Sequence, residues 1–215
     1  MITWESSMKC CGNCCVTIKS SDGKKDAFAI WLIDSNDYQA KPDGGLCYDC
    51  AKGMLETGVR FDFAHFWEDI CCKNGPLVWP SVFQELAGPW YRKITELVNS
   101  YGIDIVSVDC DGKIDRLVPI WLENGVNTMF PIEVGTWDAS IAPWREKYGR
   151  ELRGVGGMNK TVFARDKKAV EQEVERLKPL MDLGGFIPCP DHRLMPGTKF
   201  ELVQYYAEEI KKITV

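Results

Sequence analysis

The chain has 215 residues, with 26 Lys and Arg against 31 Asp and Glu and a formal charge of −5. An acidic balance without a basic run argues against nucleic-acid binding, and no uncharged apolar stretch approaches the ~20 residues that cross a bilayer. Its 45% hydrophobic and 27% charged residues are typical of a globular protein, and the lack of a basic, apolar leader predicts a cytoplasmic location.

Ten cysteines are concentrated toward the N-terminus, where they are expected to be reduced thiols because no secretory leader precedes them. Cys11-x-x-Cys14 and Cys47-x-x-Cys50 form two CxxC pairs with 32 residues between them. This pattern suits a zinc-ribbon-like binding module, although the gap is longer than usual. The module is kept as a non-enzymatic alternative for the poorly patterned residues 1–55.

Hydrophobic patterning predicts a strand over 27–33, a loop over 34–45, a helix over 46–55 and then a regular alternation of strands and helices. The predicted strands cover 61–66, 103–108, 126–132, 152–155 and 186–189. The predicted helices cover 80–101 with a division at Pro89, then 114–122, 141–148, 160–183 and about 203–210.

Five successive strand–helix units indicate an α/β fold with a parallel sheet covered by helices. They occupy about 155 residues, which leaves too little chain for three more units of a (β/α)₈ barrel, whose lower bound is ~200 residues. The fold class predicted is therefore a TIM-barrel-like (β/α)₈ fold that is incomplete, or else an open, doubly wound sheet.

Ligand-capable side chains follow the predicted strands, and the carboxyl ends of parallel strands are where such folds place their sites. The segments concerned are 65–69, 109–112, Glu133, 156–160 and 189–193. Cys110, Glu133 and His192 are a mix of donors that binds Zn²⁺ with an open fourth position. The alternatives are that Asp111 and Asn159 only cap helices, that Gly156 and Gly157 only form a tight turn, and that Cys110 is a buried apolar residue.

Four segments resemble the uroporphyrinogen decarboxylase superfamily. They read FAHFWEDICCKNGPLVWPSVFQE (63–85), SVDCDGKIDRLVPIWLENGVNTMFPIEVG (107–135), YGRELRGVGGMNK (148–160) and GGFIPCPDH (184–192). They occur in the family's order and, from Val59 to about Tyr206, involve about two thirds of the chain. The resemblance implies that residues 56–215 supply about five strand–helix units of a (β/α)₈ barrel.

The superfamily includes metal-free decarboxylases of porphyrin biosynthesis, which bind a polycarboxylate through arginines near the family's N-terminus. The first arginine of this chain is Arg60, and nothing before it matches that segment. Because a polycarboxylate needs cationic hydrogen-bonding partners, a decarboxylase is kept only as an alternative. A truncated family member without activity is a further alternative.

The other branch of the superfamily comprises corrinoid-dependent methyltransferases, which hold Zn²⁺ with a His-x-Cys pair and a further Cys after the last strand. Here the first place reads Val108-Asp109-Cys110, without the His, and the last reads Cys189-Pro190-Asp191-His192. The resemblance implies a metal-assisted methyltransferase that acts on a small molecule and a corrinoid protein. His192 would stand for the missing thiolate in a zinc site with Cys110 and Glu133.

The resemblance also implies roles for other residues that follow the strands. Glu68, Asp69 or His65 would orient the substrate or transfer a proton, although His65 is equally well explained as a core histidine. Substrate contacts are predicted for Asp109, Asp111, Gly156, Gly157 and Asn159. Self-association is expected as well, since an unclosed barrel leaves strand edges and apolar surface uncovered.

Overall fold

The computed structural model describes residues 29–32 and 48–213. Only the backbone is described for residues 29–32 and 49–50. The loop predicted over 34–45 and Cys11, Cys14 and Cys47 of the zinc-ribbon hypothesis lie outside the described residues, as does the side chain of Cys50. That hypothesis therefore stays a prediction.

The described elements alternate between strands and helices along most of the chain. The strands are β1 Ala29–Leu32, β2 Phe63–Glu68, β3 Cys71–Cys72, β4 Gly75–Pro76, β5 Ile105–Cys110, β6 Thr128–Ile132, β7 Arg153–Met158 and β8 Phe186–Pro190. The helices are α1 Tyr48–Leu55, α2 Pro80–Leu86, α3 Gly88–Ser100, α4 Val118–Glu123, α5 Val134–Trp137, α6 Ile141–Tyr148, α7 Lys167–Met181 and α8 Phe200–Lys211. Two 3-10 helices cover Gly149–Glu151 and Lys160–Ala164. This is an α/β fold.

These elements belong to two compact units. The first unit contains the described residues up to Ile70, Leu77–Asp109 and Asp115–Asn127. The second unit contains Cys71–Pro76, Cys110–Ile114 and the described residues from Thr128 onward.

In the first unit the strand order is β1-β2-β5, and β1 pairs with β2 in parallel. The core is built from side chains of β2 and β5, in each of which three successive residues are buried, and of one stripe of α3. Its largest fully buried members include Phe66, Tyr91, Ile94 and Trp121. Full burial of an apolar side chain of this kind contributes roughly 1.5–3 kcal/mol, so these residues hold β2 and β5 against the helices.

In the second unit the order is β6-β7-β8, and both neighbouring pairs are parallel. Helices α7 and α8 enclose a core that includes Phe163, Val170, Leu177 and Tyr206. The β6–β7 register shifts between Met129 and Ile132, where β6 carries one more residue than β7. The carboxyl ends of the three strands lead into the segments that begin at Glu133, Asn159 and Asp191.

The outer edge of β8 is closed to further strand pairing over two positions. The N–H of Asp191 donates to the Met158 carbonyl of β7. Because backbone N–H and C=O groups alternate in direction along a strand, those of residues 188 and 190 point away from β7. Both are proline and have no N–H to donate, and the Tyr206 hydroxyl already donates to the Pro188 carbonyl at 3.1 Å. This edge is therefore a weak template for another strand.

The predicted order of strands and helices is confirmed in the described residues, but four strands extend beyond their predicted ends. As a result Glu68 lies within β2, Asp109 and Cys110 lie within β5, and Gly156 and Gly157 lie within β7 rather than after it. His65 lies within β2 as well, inside the predicted strand 61–66. Parallel pairing depends on backbone groups, so it continues through polar and glycine residues that end an apolar run.

One predicted helix is divided, and two short elements were not predicted. The helix expected over 160–183 is a 3-10 helix followed by α7, because the Asp166 carboxylate caps α7 by accepting a hydrogen bond from the Ala169 N–H at 2.9 Å. The β3–β4 hairpin and the four-residue helix α5 have no signal in the hydrophobic pattern. Across the described residues, no helix is both long and apolar enough to cross a bilayer.

Candidate metal site

Three side chains of the second unit converge into one group of potential metal ligands. Asp111, Glu133 and His192 each offer a ligand atom, and these atoms lie within 4.8 Å of one another. Asp111 follows β5, Glu133 follows β6, and His192 comes two residues after β8. Of the sequence-predicted metal ligands, the structure therefore brings Glu133 and His192 together.

Glu133 is the fixed member of this group. Its side chain is 5% exposed. Its Oε2 accepts a hydrogen bond from the Gly112 N–H at 2.6 Å, and its Oε1 accepts one from the Thr136 hydroxyl at 3.0 Å. Gly112 has φ +87°, and a Cβ there would lie 2.8 Å from the Cys72 carbonyl oxygen, so only glycine suits this position. These bonds orient the carboxylate, as outer hydrogen bonds do for ligating carboxylates.

Asp111 and His192 form the open side of the group. His192 Nε2 lies 3.1 Å from Asp111 Oδ2, and the two side chains are 32% and 45% exposed. A buried, oriented carboxylate is thus combined with two solvent-accessible donors. An ion or a substrate atom can reach the group from the solvent side.

Cys110, the third predicted ligand, is not a member of this group. It is the last residue of β5 and fully buried, with its thiol 3.6 Å from the Asp111 carbonyl. Consecutive side chains of an extended chain point to opposite sides, which favours Asp111 over Cys110 as the neighbour of Glu133. Asp111, which the sequence assigned to substrate binding, occupies this place.

The other cysteine of interest, Cys189, lies within β8. Burial raises the pKa of its thiol, and a backbone hydrogen bond from Gly156 offsets this only in part. A thiol with a raised pKa is a poorer metal ligand at neutral pH, because the thiolate is the ligating form.

The donor set of Asp111, Glu133 and His192 fits a divalent metal. Two carboxylates and one imidazole are ligands of Zn²⁺ and of related first-row ions. Three protein ligands leave a coordination position for a substrate atom, which is the arrangement of catalytic rather than structural zinc sites.

Packing and capping account for the predicted substrate residues of β7 and the turn after it. A Cβ on Gly156 would lie 2.6 Å from the Ile132 backbone nitrogen, and one on Gly157 would lie 2.8 Å from Phe186 Cζ. Asn159 caps the 3-10 helix by accepting a hydrogen bond from the Thr161 N–H. Substrate contact by these residues stays a prediction.

The predicted acid–base residues His65, Glu68 and Asp69 lie in the first unit, as does Asp109. His65 is 6% exposed, its Nδ1 lies 2.7 Å from the Ser107 hydroxyl, and burial lowers its pKa from 6.5 to about 4. Glu68 accepts a hydrogen bond from the Tyr91 hydroxyl, and Asp69 is exposed. His65 is therefore a neutral core residue at pH 7, the alternative that the sequence left open for it.

Comparison with solved structures finds a likeness at the level of the fold. A methyltransferase from Methanosarcina mazei matches with a TM-score of 0.57 and 17% sequence identity, over 79% of this chain and 47% of that protein. The chain thus spans about half the length of this structural neighbour. No protein-family profile matches the sequence, and no curated protein matches it.

Proposed function

We propose that this chain is a metal-assisted methyltransferase that moves a methyl group between a methylated small molecule and a corrinoid carried by a partner protein. The observation that carries the proposal is the convergence of Asp111, Glu133 and His192 after three different strands. The likeness in fold to a methyltransferase supports it, as do the four segments that resemble the superfamily.

Each of the three residues has a distinct part in the proposed site. Glu133 is the anchoring ligand, because its two hydrogen bonds fix the carboxylate before any ion binds. His192 and Asp111, which contact each other and are partly exposed, would hold the ion together with Glu133. A divalent cation held there, Zn²⁺ in the first instance, would polarise the oxygen or sulfur that bears the methyl group.

Proton transfer and substrate orientation are proposed for Glu68 and Asp69. The Tyr91 hydroxyl donates a hydrogen bond to the Glu68 carboxylate and orients it. Asp69 is exposed at the end of β2 and free to meet a ligand from solvent. His65 contributes by packing, since its ring is buried and neutral.

We also propose that residues 56–215 are about five strand–helix units of a TIM-barrel-like fold, preceded by a Cys-containing N-terminal segment over residues 1–55. The parallel pairing of β6 with β7 and of β7 with β8 and the coverage of 47% of the neighbouring methyltransferase support a partial barrel. The two prolines at the outer edge of β8 indicate that this edge does not serve for closure.

Loss of metal binding tests the proposed site. After loading with Zn²⁺ under reducing conditions and dialysis, we expect about one metal per wild-type chain by plasma mass spectrometry. Glu133→Gln and Asp111→Asn should each lose most of it because they remove the negative charge of a ligating carboxylate, and His192→Ala should because it removes the imidazole nitrogen. Cys110→Ser and the exposed Lys147→Ala should retain it. Metal-free wild-type protein after loading with Zn²⁺, Co²⁺ or Fe²⁺ would contradict the proposal.

Methyl transfer is tested on the zinc-loaded protein with free methylcobalamin and a panel of thiol acceptors. We expect the absorbance of the methylated cobalamin to decay faster with wild type than with His192→Ala. Thiol methylation consumes the methyl group and leaves the reduced cobalamin, so both products can be followed. Another outcome is that the protein binds zinc and yet transfers no methyl group, either to thiols or, in the reverse direction, from methylated phenols to the cobalamin. That result would favour an inactive family member.

Self-association is expected from the exposed apolar side chains. In the first unit Leu77, Trp79 and Leu86 are largely exposed, and large exposed apolar residues in one stretch of chain favour association. We expect light scattering to give a mass above the 24.4 kDa of one chain. The double variant Trp79→Ser/Leu86→Ser should shift it toward the monomer, whereas Lys147→Ala should not. A wild-type monomer would contradict this prediction.

A further inference from the structure

We infer that Asp191 is a positioning residue that holds the metal-binding group together, an inference that rests on the proposed function. Asp191 immediately precedes His192 and is 0% exposed. It is absent from the group of potential ligands that Asp111, Glu133 and His192 form. Its task is to connect the segments that carry two of those ligands.

The Asp191 carboxylate bonds to two other loops of the second unit. Its Oδ2 accepts a hydrogen bond from the Gly135 N–H at 2.7 Å, and its Oδ1 accepts one from the Lys160 N–H at 3.2 Å. The Lys160 ammonium lies 3.6 Å from the same Oδ1. Asp191 thus connects the segments that follow β6, β7 and β8.

The bond to Gly135 is what links the two ligands. Gly135 is two residues from Glu133, and Asp191 is adjacent to His192. The backbone N–H of Asp191 also donates to the Met158 carbonyl at 2.8 Å, so His192 follows a residue held at both its backbone and its side chain. Displacement of the Gly135 segment would change the separation of Glu133 from His192.

The chemistry requires a carboxylate at this position. A buried charge is costly unless it is paired and hydrogen-bonded, and here two backbone N–H groups and one ammonium compensate it. An asparagine has one acceptor oxygen and one NH₂ donor. It can accept from one loop, but its NH₂ would face the N–H of the other.

The experiment is a Co²⁺ titration of the full chain, followed by the visible d–d absorption of the bound ion. We expect Asp191→Asn to weaken Co²⁺ binding about 10- to 100-fold, the usual effect of removing a group that orients metal ligands, and to change the shape of the d–d band. Asp166→Asn is the matched control. It makes the same carboxylate-to-amide change at a helix cap, where asparagine serves as well as aspartate, and should leave both readouts unchanged.

A second pair of variants addresses the same bond from its donor side. Gly135→Pro removes the N–H that donates a hydrogen bond to Asp191. Gly135 is the second residue of α5, where a backbone N–H has no partner within the helix, so the substitution removes no helical hydrogen bond. Gly135→Ala keeps the N–H, and its Cβ would lie at an ordinary 3.4 Å from Asp191 Oδ2. We expect Gly135→Pro to weaken Co²⁺ binding as Asp191→Asn does, and Gly135→Ala to bind like wild type.

The outcomes separate this inference from the proposed function. Wild-type binding that is unchanged in Asp191→Asn and in Gly135→Pro would overturn the positioning role and leave the metal site intact. Wild-type protein that binds no Co²⁺ would overturn the metal site itself. If Asp191→Asn does not fold by circular dichroism, the comparison of Gly135→Pro with Gly135→Ala decides the matter.

Discussion

Gly156→Ala is expected to lower the free energy of unfolding by about 2–5 kcal/mol. Gly156 has φ +114°, which L side chains rarely adopt, and a Cβ there would lie 2.6 Å from the Ile132 backbone nitrogen. The neighbour is backbone in the adjacent strand β6, so relief requires that strand to move. Urea unfolding followed by circular dichroism measures the change.

Gly197→Ala is the matched control for this substitution. Gly197 also has a positive φ, +87°, but nothing lies within 4 Å of its Cβ position. Gly197→Ala should therefore lower the free energy of unfolding only by the backbone strain, about 1–2 kcal/mol. Equal losses for the two variants would show that the contact with Ile132 contributes nothing. An alanine variant at 156 that is stable yet fails to transfer methyl groups would favour the predicted substrate contact.

Acidification from pH 7 to pH 4 is expected to remove about 3 kcal/mol of stability through His65 alone. Burial lowers the pKa of His65 from 6.5 to about 4 in the folded chain. Between these values the unfolded chain binds a proton that the folded chain does not, so stability rises with pH. The contribution is complete above pH 6.5 and is lost as the pH falls toward 4.

His65→Gln isolates this contribution from that of other titrating groups. The variant carries no titrating group at position 65 and keeps all the others, so its stability should fall less than that of wild type between pH 7 and pH 4. Urea unfolding at pH 7, 5.5 and 4 measures both proteins, and Lys147→Ala should follow wild type. Parallel pH dependences of wild type and His65→Gln would mean that the imidazole reaches solvent protons while the chain is folded.

Local sequence signals predicted those elements whose ends depend on nearby residues. The helix over 141–148 agrees with α6 because Ser140 caps it through the Ala142 N–H and Gly149 ends it with φ +72°. The division of the 80–101 helix near Pro89 agrees with α2 and α3, because Pro89 lies in the first turn of α3. Proline, glycine and capping residues act within a few positions, so their effect is readable from the chain alone.

Strand ends depended on partners that are distant in sequence. The predicted strand 103–108 ended before Asp109, whereas β5 runs to Cys110. Likewise, β7 continues through Gly156 and Gly157, where it pairs with Pro188 and Cys189 of β8. The β3–β4 hairpin pairs only two residues on each side, too few for a periodic pattern.

The sequence by itself determined the α/β alternation and placed Glu133 and His192 at the carboxyl ends of two strands of a parallel sheet, because hydrophobic periodicity and strand direction are properties of the chain. Only the tertiary structure decided that Asp111 rather than Cys110 joins them and that Asp191 ties their segments together. Successive side chains of an extended chain point to opposite sides, so a shift of one residue along the chain changes which residue faces the group. The role of Asp191 depends on the backbone N–H groups of Gly135 and Lys160, which only the fold brings to its carboxylate.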